Sequence, residues 1–178
     1  MDIIFIIIGI AILLAVYLVG KRQVSHKKNE MDEILGKQSG FQVSQKLISI
    51  YGDFCLAIDE INRKVCFVAK NKDTVIQICN YNDLISSSLI ENETEIMKTE
   101  RRDGVGVVAD DLSEKTKAVK KVNSIKLQII VDDTKNPIHL VEFLYQKSNK
   151  KSVRYRQTIG SAVQWHSLIS DLLKRDGG

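Results

Sequence analysis

The sequence predicts an N-terminal transmembrane helix followed by a mainly-β domain of about seven antiparallel strands capped by a C-terminal α-helix. Three observations carry this reading. Ile3 to Val19 is an unbroken apolar run followed at once by Lys21 and Arg22. From Asp53 onward, short β-branched and aromatic runs alternate with turn residues, the pattern of a compact antiparallel domain. From Thr158 to Lys174, apolar residues recur at helical spacing. The chain therefore divides into an anchor (1–20), a juxtamembrane linker and lead-in (21–50) and a β domain with its closing helix (51–178).

The anchor run contains no charge, and its Ile, Leu, Val and Phe residues each favour the bilayer centre by roughly 0.3–0.6 kcal/mol. As a helix it spans roughly 25–27 Å, slightly short of a hydrocarbon core of about 30 Å. A cleaved secretory signal would need a basic leader and a small-residue cleavage site, whereas only Asp2 precedes the core. Lys21, Arg22, Lys27 and Lys28 all follow the run, so the charge rule sets the orientation. The expectation is a single-pass protein of the inner (cytoplasmic) membrane, with its N-terminus outside and its C-terminal domain in the cytoplasm.

That charge also explains much of the basic balance. The whole chain holds 26 Lys and Arg against 22 Asp and Glu, but residues 31–178 hold 22 against 20. A nearly neutral folded part argues against nucleic acid as a partner. Cys55, Cys66 and Cys79 lie inside apolar runs without CxxC spacing, which reads as buried, reduced thiols.

After the polar linker, residues 41–50 mix apolar and polar positions without a clean period and read as a short helical or extended lead-in. Strands follow at Asp53 to Asp59, Lys64 to Lys70, Val75 to Asn80, Leu84 to Ile90 and Thr94 to Glu100. A long charged loop occupies 101–121. Asn123 to Asp132 then gives the cleanest alternation, with Ile125, Leu127, Ile129 and Val131 on one face. Ile138 to Tyr145 is the seventh strand. In the closing helix Ile159, Ala162, Val163, His166, Ile169 and Leu173 form the stripe, widened by Trp165, Leu168 and Leu172. One amphipathic helix after a run of strands covers an open end or face of the sheets.

The segments LAIDEINRKVCFV, NYNDLISSSLIEN, IKLQIIVDDTKNPIHLVEFL and AVQWHSLI, in that order, resemble a recurring bacterial protein with an N-terminal anchor and a pleckstrin-homology-like domain. The resemblance implies a β-barrel-like fold and a binding or scaffolding role, and its motifs are structural. The chain departs from it between Arg101 and Lys121, where a longer glycine-rich apolar insert is expected and only GVGVV stands.

Chemistry-bearing motifs are sparse. Gly104 to Ala109 fits GxGxxA, but charged sequence on both sides lacks the strand and helix a dinucleotide site needs, so no cofactor is expected. His139 and His166 have no partner at metal-ligand or dyad spacing. Asp110-Asp111 and Asp132-Asp133 read as turn formers. No metal, nucleophile or small-molecule substrate motif is present. The basic run Lys147, Lys150, Lys151, Arg154 and Arg156 has no acidic residue between Glu142 and Asp171, which suits anionic headgroups, an acidic partner or plain solvation. The turn Asp59 to Lys64 is mixed in sign and does not support specific phosphoinositide recognition.

The function expected from these features is a non-catalytic, membrane-anchored binding or scaffold module that recruits a protein partner or self-associates at the cytoplasmic membrane face. One alternative is an anionic-lipid-sensing module. The other is an enzyme with a cryptic site, which would have to involve His139 or His166.

Overall fold

The computed structural model describes residues 10, 14, 17–18, 22, 25–49, 51–70, 73–101, 107–108 and 121–175. Residues 25–36 form helix α1, which leads into β1 (Gln45–Ile48). β2 (Phe54–Asp59), β3 (Lys64–Lys70) and β4 (Thr74–Asn80) complete an antiparallel sheet 1 in the order β1-β2-β3-β4. After a 3-10 turn at Tyr81–Asp83 come β5 (Leu84–Glu91), β6 (Thr94–Glu100), β7 (Val107–Val108), β8 (Lys121–Val122), β9 (Ile125–Val131), β10 (Ile138–Leu144) and β11 (Ser148–Asn149). Sheet 2 runs β10-β9-β5-β6-β7, and β8 pairs with β11. Helix α2 (Val153–Arg175) ends the described chain.

Each of the seven predicted strands appears. β9 shows why its pattern was clear, since its residues alternate strictly between buried and half-buried positions. Leu56, Ile58, Val65 and Phe67 from sheet 1 meet Leu127, Ile129, Val131 and Val141 from sheet 2 in the main core, and Trp165, Ile169, Leu172 and Leu173 of α2 close it. A second group, Leu89, Val122, Ile125, Leu144 and Ala162, packs beneath the first half of α2. The helix starts earlier than apolar periodicity indicates, because Ser152 Oγ accepts the Tyr155 N–H at 3.1 Å and caps a first turn that faces solvent.

Three expectations are corrected. The transmembrane-helix part of the predicted fold class is not supported, because among the described residues no helix is long and apolar enough to cross a membrane. Helix α1 carries His26, Lys27, Lys28, Glu30, Asp32 and Glu33, and buries only Met31 and Leu35 fully, so it is a docked amphipathic helix. Lys21 and most of the Ile3 to Val19 run lie outside the described residues.

The second correction concerns residues 21–50, which are more than a linker. Met31 and Leu35 pack on Cys55, Ala57, Cys66 and Val68, the side of sheet 1 facing away from the main core. Lys46 Nζ meets Asp32 Oδ1 at 2.5 Å and Lys70 pairs with Glu30, fastening α1 along the sheet. Gly52 lies so close that a Cβ on it would stand 2.6 Å from Lys27 Cβ, and its φ of +65° suits glycine.

The third correction is to the β-barrel. β1 and β10 are both sheet edges, and among the described residues no backbone hydrogen bond joins them, so the two sheets leave an open seam.

Candidate functional site

The seam between β1 and β10 holds a cavity of about 250 Å³. Leu47 and Ile48 form one wall, Val141 and Phe143 the other, and Gln157, Thr158 and Ser161 of α2 line it as well. Glu142 is the charged residue of the lining.

Strand parity explains why this gap presents main-chain groups. Val131 N–H donates to Pro137 O, so on β10 the residues in step with Pro137, His139 and Val141, turn their peptide groups toward β9. Leu140 and Glu142 therefore aim theirs into the seam. On β1, Ser49 N–H bonds Phe54 O, which sets Lys46 and Ile48 outward in the same way. The seam is thus flanked by two free edges, with a mainly apolar cavity between them and Gln157, Thr158 and Ser161 of α2 beneath.

One end of the seam is bridged, where Tyr51 and Tyr145 meet edge to face with centroids 4.8 Å apart. Burial, with Asp53 nearby, pushes the Tyr145 hydroxyl up to about 12. Ser49, itself buried, accepts the N–H groups of Asp53 and Phe54 at 3.0 and 3.2 Å and bonds the Asp53 carboxylate, which fixes the β1–β2 turn. Between the two sheets, the His139 ring of β10 stacks on Phe67 of β3.

The predicted basic group is only partly free. Lys147, Lys151, Arg154 and Arg156 are exposed around β11 and the start of α2, where no acidic residue occupies the first turn. Lys150 instead pairs with the buried Glu91 at 2.5 Å, a carboxylate that also accepts the Tyr155 hydroxyl at 2.6 Å. The acid absent from the local sequence comes from the end of β5, and long-range pairing hid it. Of the cations after the apolar run, Arg22, Lys27 and Lys28 are exposed.

The two histidines occupy structural positions. His166 is buried, its Nε2 lies 3.2 Å from Ser87 O, and Ser170 donates back to His166 O at 2.7 Å while sharing a 2.9 Å hydrogen bond with Thr99. The Ser170 hydroxyl is 3.5 Å from His166 Nδ1, and His166, Ser170, Ser87 and Thr99 are all buried between α2 and sheet 2. Asp59 organises the β2–β3 turn by accepting from the N–H groups of Gln42, Ile61 and Asn62. Burial pushes its carboxyl up, but these bonds outweigh it and hold the group below the ordinary value. Asp133 does the same for the β9–β10 turn, accepting from Lys135 and Asn136 at 2.6 and 3.0 Å.

The thiols of Cys55, Cys66 and Cys79 are free, buried and pushed by burial up to about 12, far from nucleophilic. Among the described residues, no group of three or more His, Cys, Asp or Glu is placed to hold a metal ion. Asp110-Asp111 and Gly104 to Gly106 lie outside the described residues, while Val107–Val108 add β7 to the edge of sheet 2.

Comparison with curated proteins and with solved structures gives no match. A family model described as a glycine zipper containing PH domain matches residues 42–145, from just before β1 to just past β10. With two antiparallel sheets and a closing helix around that stretch, which is more than half the chain, the protein belongs to the family of glycine zipper-containing PH domains.

Proposed function

We propose that this domain is a non-catalytic binding module that takes an extended segment of a protein partner into the β1–β10 seam. The observation that carries this is the pair of unpartnered strand edges flanking an apolar cavity. Free N–H and C=O groups along an edge match another strand, and alternate side chains of that strand would enter the cavity. A volume of about 250 Å³ falls below the roughly 300–1,000 Å³ of small-molecule pockets and suits one or two side chains. Glu142 favours a basic residue beside the inserted apolar one.

The test combines site-specific photocrosslinking from position 157 in the full-length protein with a filled-cavity variant. The crosslinked partner should be lost in Thr158→Arg and kept in Lys151→Glu. With that partner added, the amides of Ile48 or Glu142 should gain exchange protection. Unchanged capture by Thr158→Arg sinks the proposal.

A second reading rests on a separate observation, the four exposed cations Lys147, Lys151, Arg154 and Arg156 beside the positive end of α2. These suit anionic lipid headgroups, each contributing about 1 kcal/mol near a charged surface. Vesicles containing phosphatidylserine should sediment the wild type better than a variant with all four changed to Gln. Equal sedimentation removes this reading.

A further inference from the structure

The β1–β2 turn lies between helix α1 and the bridged end of the seam. Gly52 in that turn is buried, and a Cβ on it would stand 2.6 Å from Lys27 Cβ and 3.2 Å from the Lys27 carbonyl carbon. Tyr51, the residue before it, meets the ring of Tyr145 just past β10. The first turn of α1 therefore backs the β1–β2 turn on one side, and Tyr145 stops it on the other.

The same helix is tied to the strand that walls the seam. Asp32 pairs with Lys46 of β1, and Ile48 of β1 packs against the group formed by Met31, Leu35, Cys55, Ala57, Cys66 and Val68. The base of the turn is fixed separately, because the Ser49 hydroxyl accepts the N–H groups of Asp53 and Phe54. Tyr51 stands outside those bonds and is 44% exposed.

The tyrosine pair limits what the seam can take. Leu47 to Ser49 and Val141 to Phe143 line the cavity from its two edges. At about 3.3 Å per residue, an extended segment of about three residues fills that length. A longer one has to run between Tyr51 and Tyr145. Rings with centroids 4.8 Å apart leave no width for it, since a strand needs about 4.7 Å on each side.

We propose that Tyr51 and Tyr145 close one end of the seam and that docked α1 keeps them closed, which makes the helix an autoinhibitory latch on the partner site. This rests on the seam reading and adds its control. When α1 leaves the sheet, Gly52 loses its backing, Tyr51 swings off Tyr145, and an extended segment can run through. The coupling is reciprocal, because a segment lying between the tyrosines pushes the turn toward Lys27 and loosens α1. The helix is suited to release. Its ion pairs, Asp32 with Lys46 and Glu30 with Lys70, are partly exposed and each contributes little. Among the described residues the main core is built without α1, so release leaves that core in place.

Nuclear magnetic resonance of the full-length protein tests the latch with no partner present. Met31→Asp puts a charge at a fully buried position and should release α1, read as movement of the Ile34 methyl signals to their unfolded positions. Cross-relaxation between the Tyr51 and Tyr145 rings should fall with it at least fivefold. The double variant Glu30→Lys with Asp32→Lys sets like charges against Lys70 and Lys46 and should act the same way, and it decides should Met31→Asp unfold the sheets. A released α1 with the tyrosine contact intact overturns the proposal. In photocrosslinking from position 157, the α1 variants and Tyr145→Ala should each raise at least fivefold the capture that Thr158→Arg abolishes. Capture that stays level in them while Thr158→Arg still abolishes it overturns the latch and leaves the seam reading standing.

Discussion

The imidazole of His139 lies flat on Phe67, with ring centroids 3.8 Å apart and planes 5° from parallel, and this contact ties sheet 2 to sheet 1. Burial holds His139 below the usual imidazole range, against opposing pulls from Asp133 and the Asn136 backbone. Burial also lowers His166, although its bond to Ser87 O works the other way. The unfolded chain takes up these protons near pH 6.5, while the folded one resists them. Stability is therefore complete above that pH and declines as pH falls toward the lowered folded values. The urea midpoint should drop between pH 7 and pH 5, and His139→Phe, which keeps a ring on Phe67, should flatten that slope. An unchanged slope contradicts the role given to His139.

Asp59 is buried and has four hydrogen bonds from N–H groups, including the Asn62 side-chain amide at 2.7 Å. Removing the carboxylate strands these donors. Asp59→Ala should destabilise the domain by about 3 kcal/mol, and Asp59→Asn by less, in chemical denaturation. Because the folded carboxyl sits below the ordinary value, its contribution is present above about pH 3.8 and is lost as pH falls through the folded value.

Helix α1 gives a second stability test. Met31 is fully buried against sheet 1, and Met31→Ala should cost about 3 kcal/mol. The ion pair between Lys46 and Asp32 is largely exposed, with side-chain exposures of 43% and 45%, so Lys46→Ala should change stability by less than about 1 kcal/mol. Equal effects from the two variants would contradict a packed α1.

Glu91 separates structural cations from free ones. Its carboxylate is 3% exposed, and Lys150 and Tyr155 are its partners. Lys150→Ala should destabilise by about 2–3 kcal/mol and Tyr155→Phe by about 1.5 kcal/mol. Lys151→Ala should stay within about 0.5 kcal/mol. Thermal unfolding of the three variants side by side checks the order.

The β domain was legible where one face of a strand is buried and the other is not. Ile125 to Val131 displays that alternation, and the turns around Asp59, Asp83 and Asp133 mark its neighbours. β1 was hidden because Gln45–Ile48 is too short to show a period. Helix α1 was hidden by its charges, although Met31, Ile34 and Leu35 already carry the spacing of a narrow apolar stripe. The apolar run before it carries the strongest pattern in the first thirty residues, yet no described helix meets the requirements of a span. β4 misleads in another way, because VIQIC reads as a buried strand and only the sheet order reveals an edge. The seam itself was not legible, since Ile48, Val141 and Thr158 meet only through topology.

The placement of α1 also sets the route by which the domain would carry mechanical load. Tension applied to the chain ahead of residue 25 reaches Met31, Leu35 and the contact of Lys27 with Gly52 before it reaches β1. Those contacts would open in succession, as a strip is peeled, whereas the β1–β2 ladder resists along its length. In a single-molecule pulling experiment between the two termini, α1 should release first as a small step at low force, ahead of rupture of the sheets. Met31→Ala should erase that step and leave the later rupture in place, making α1 a mechanical fuse for the sheets behind it.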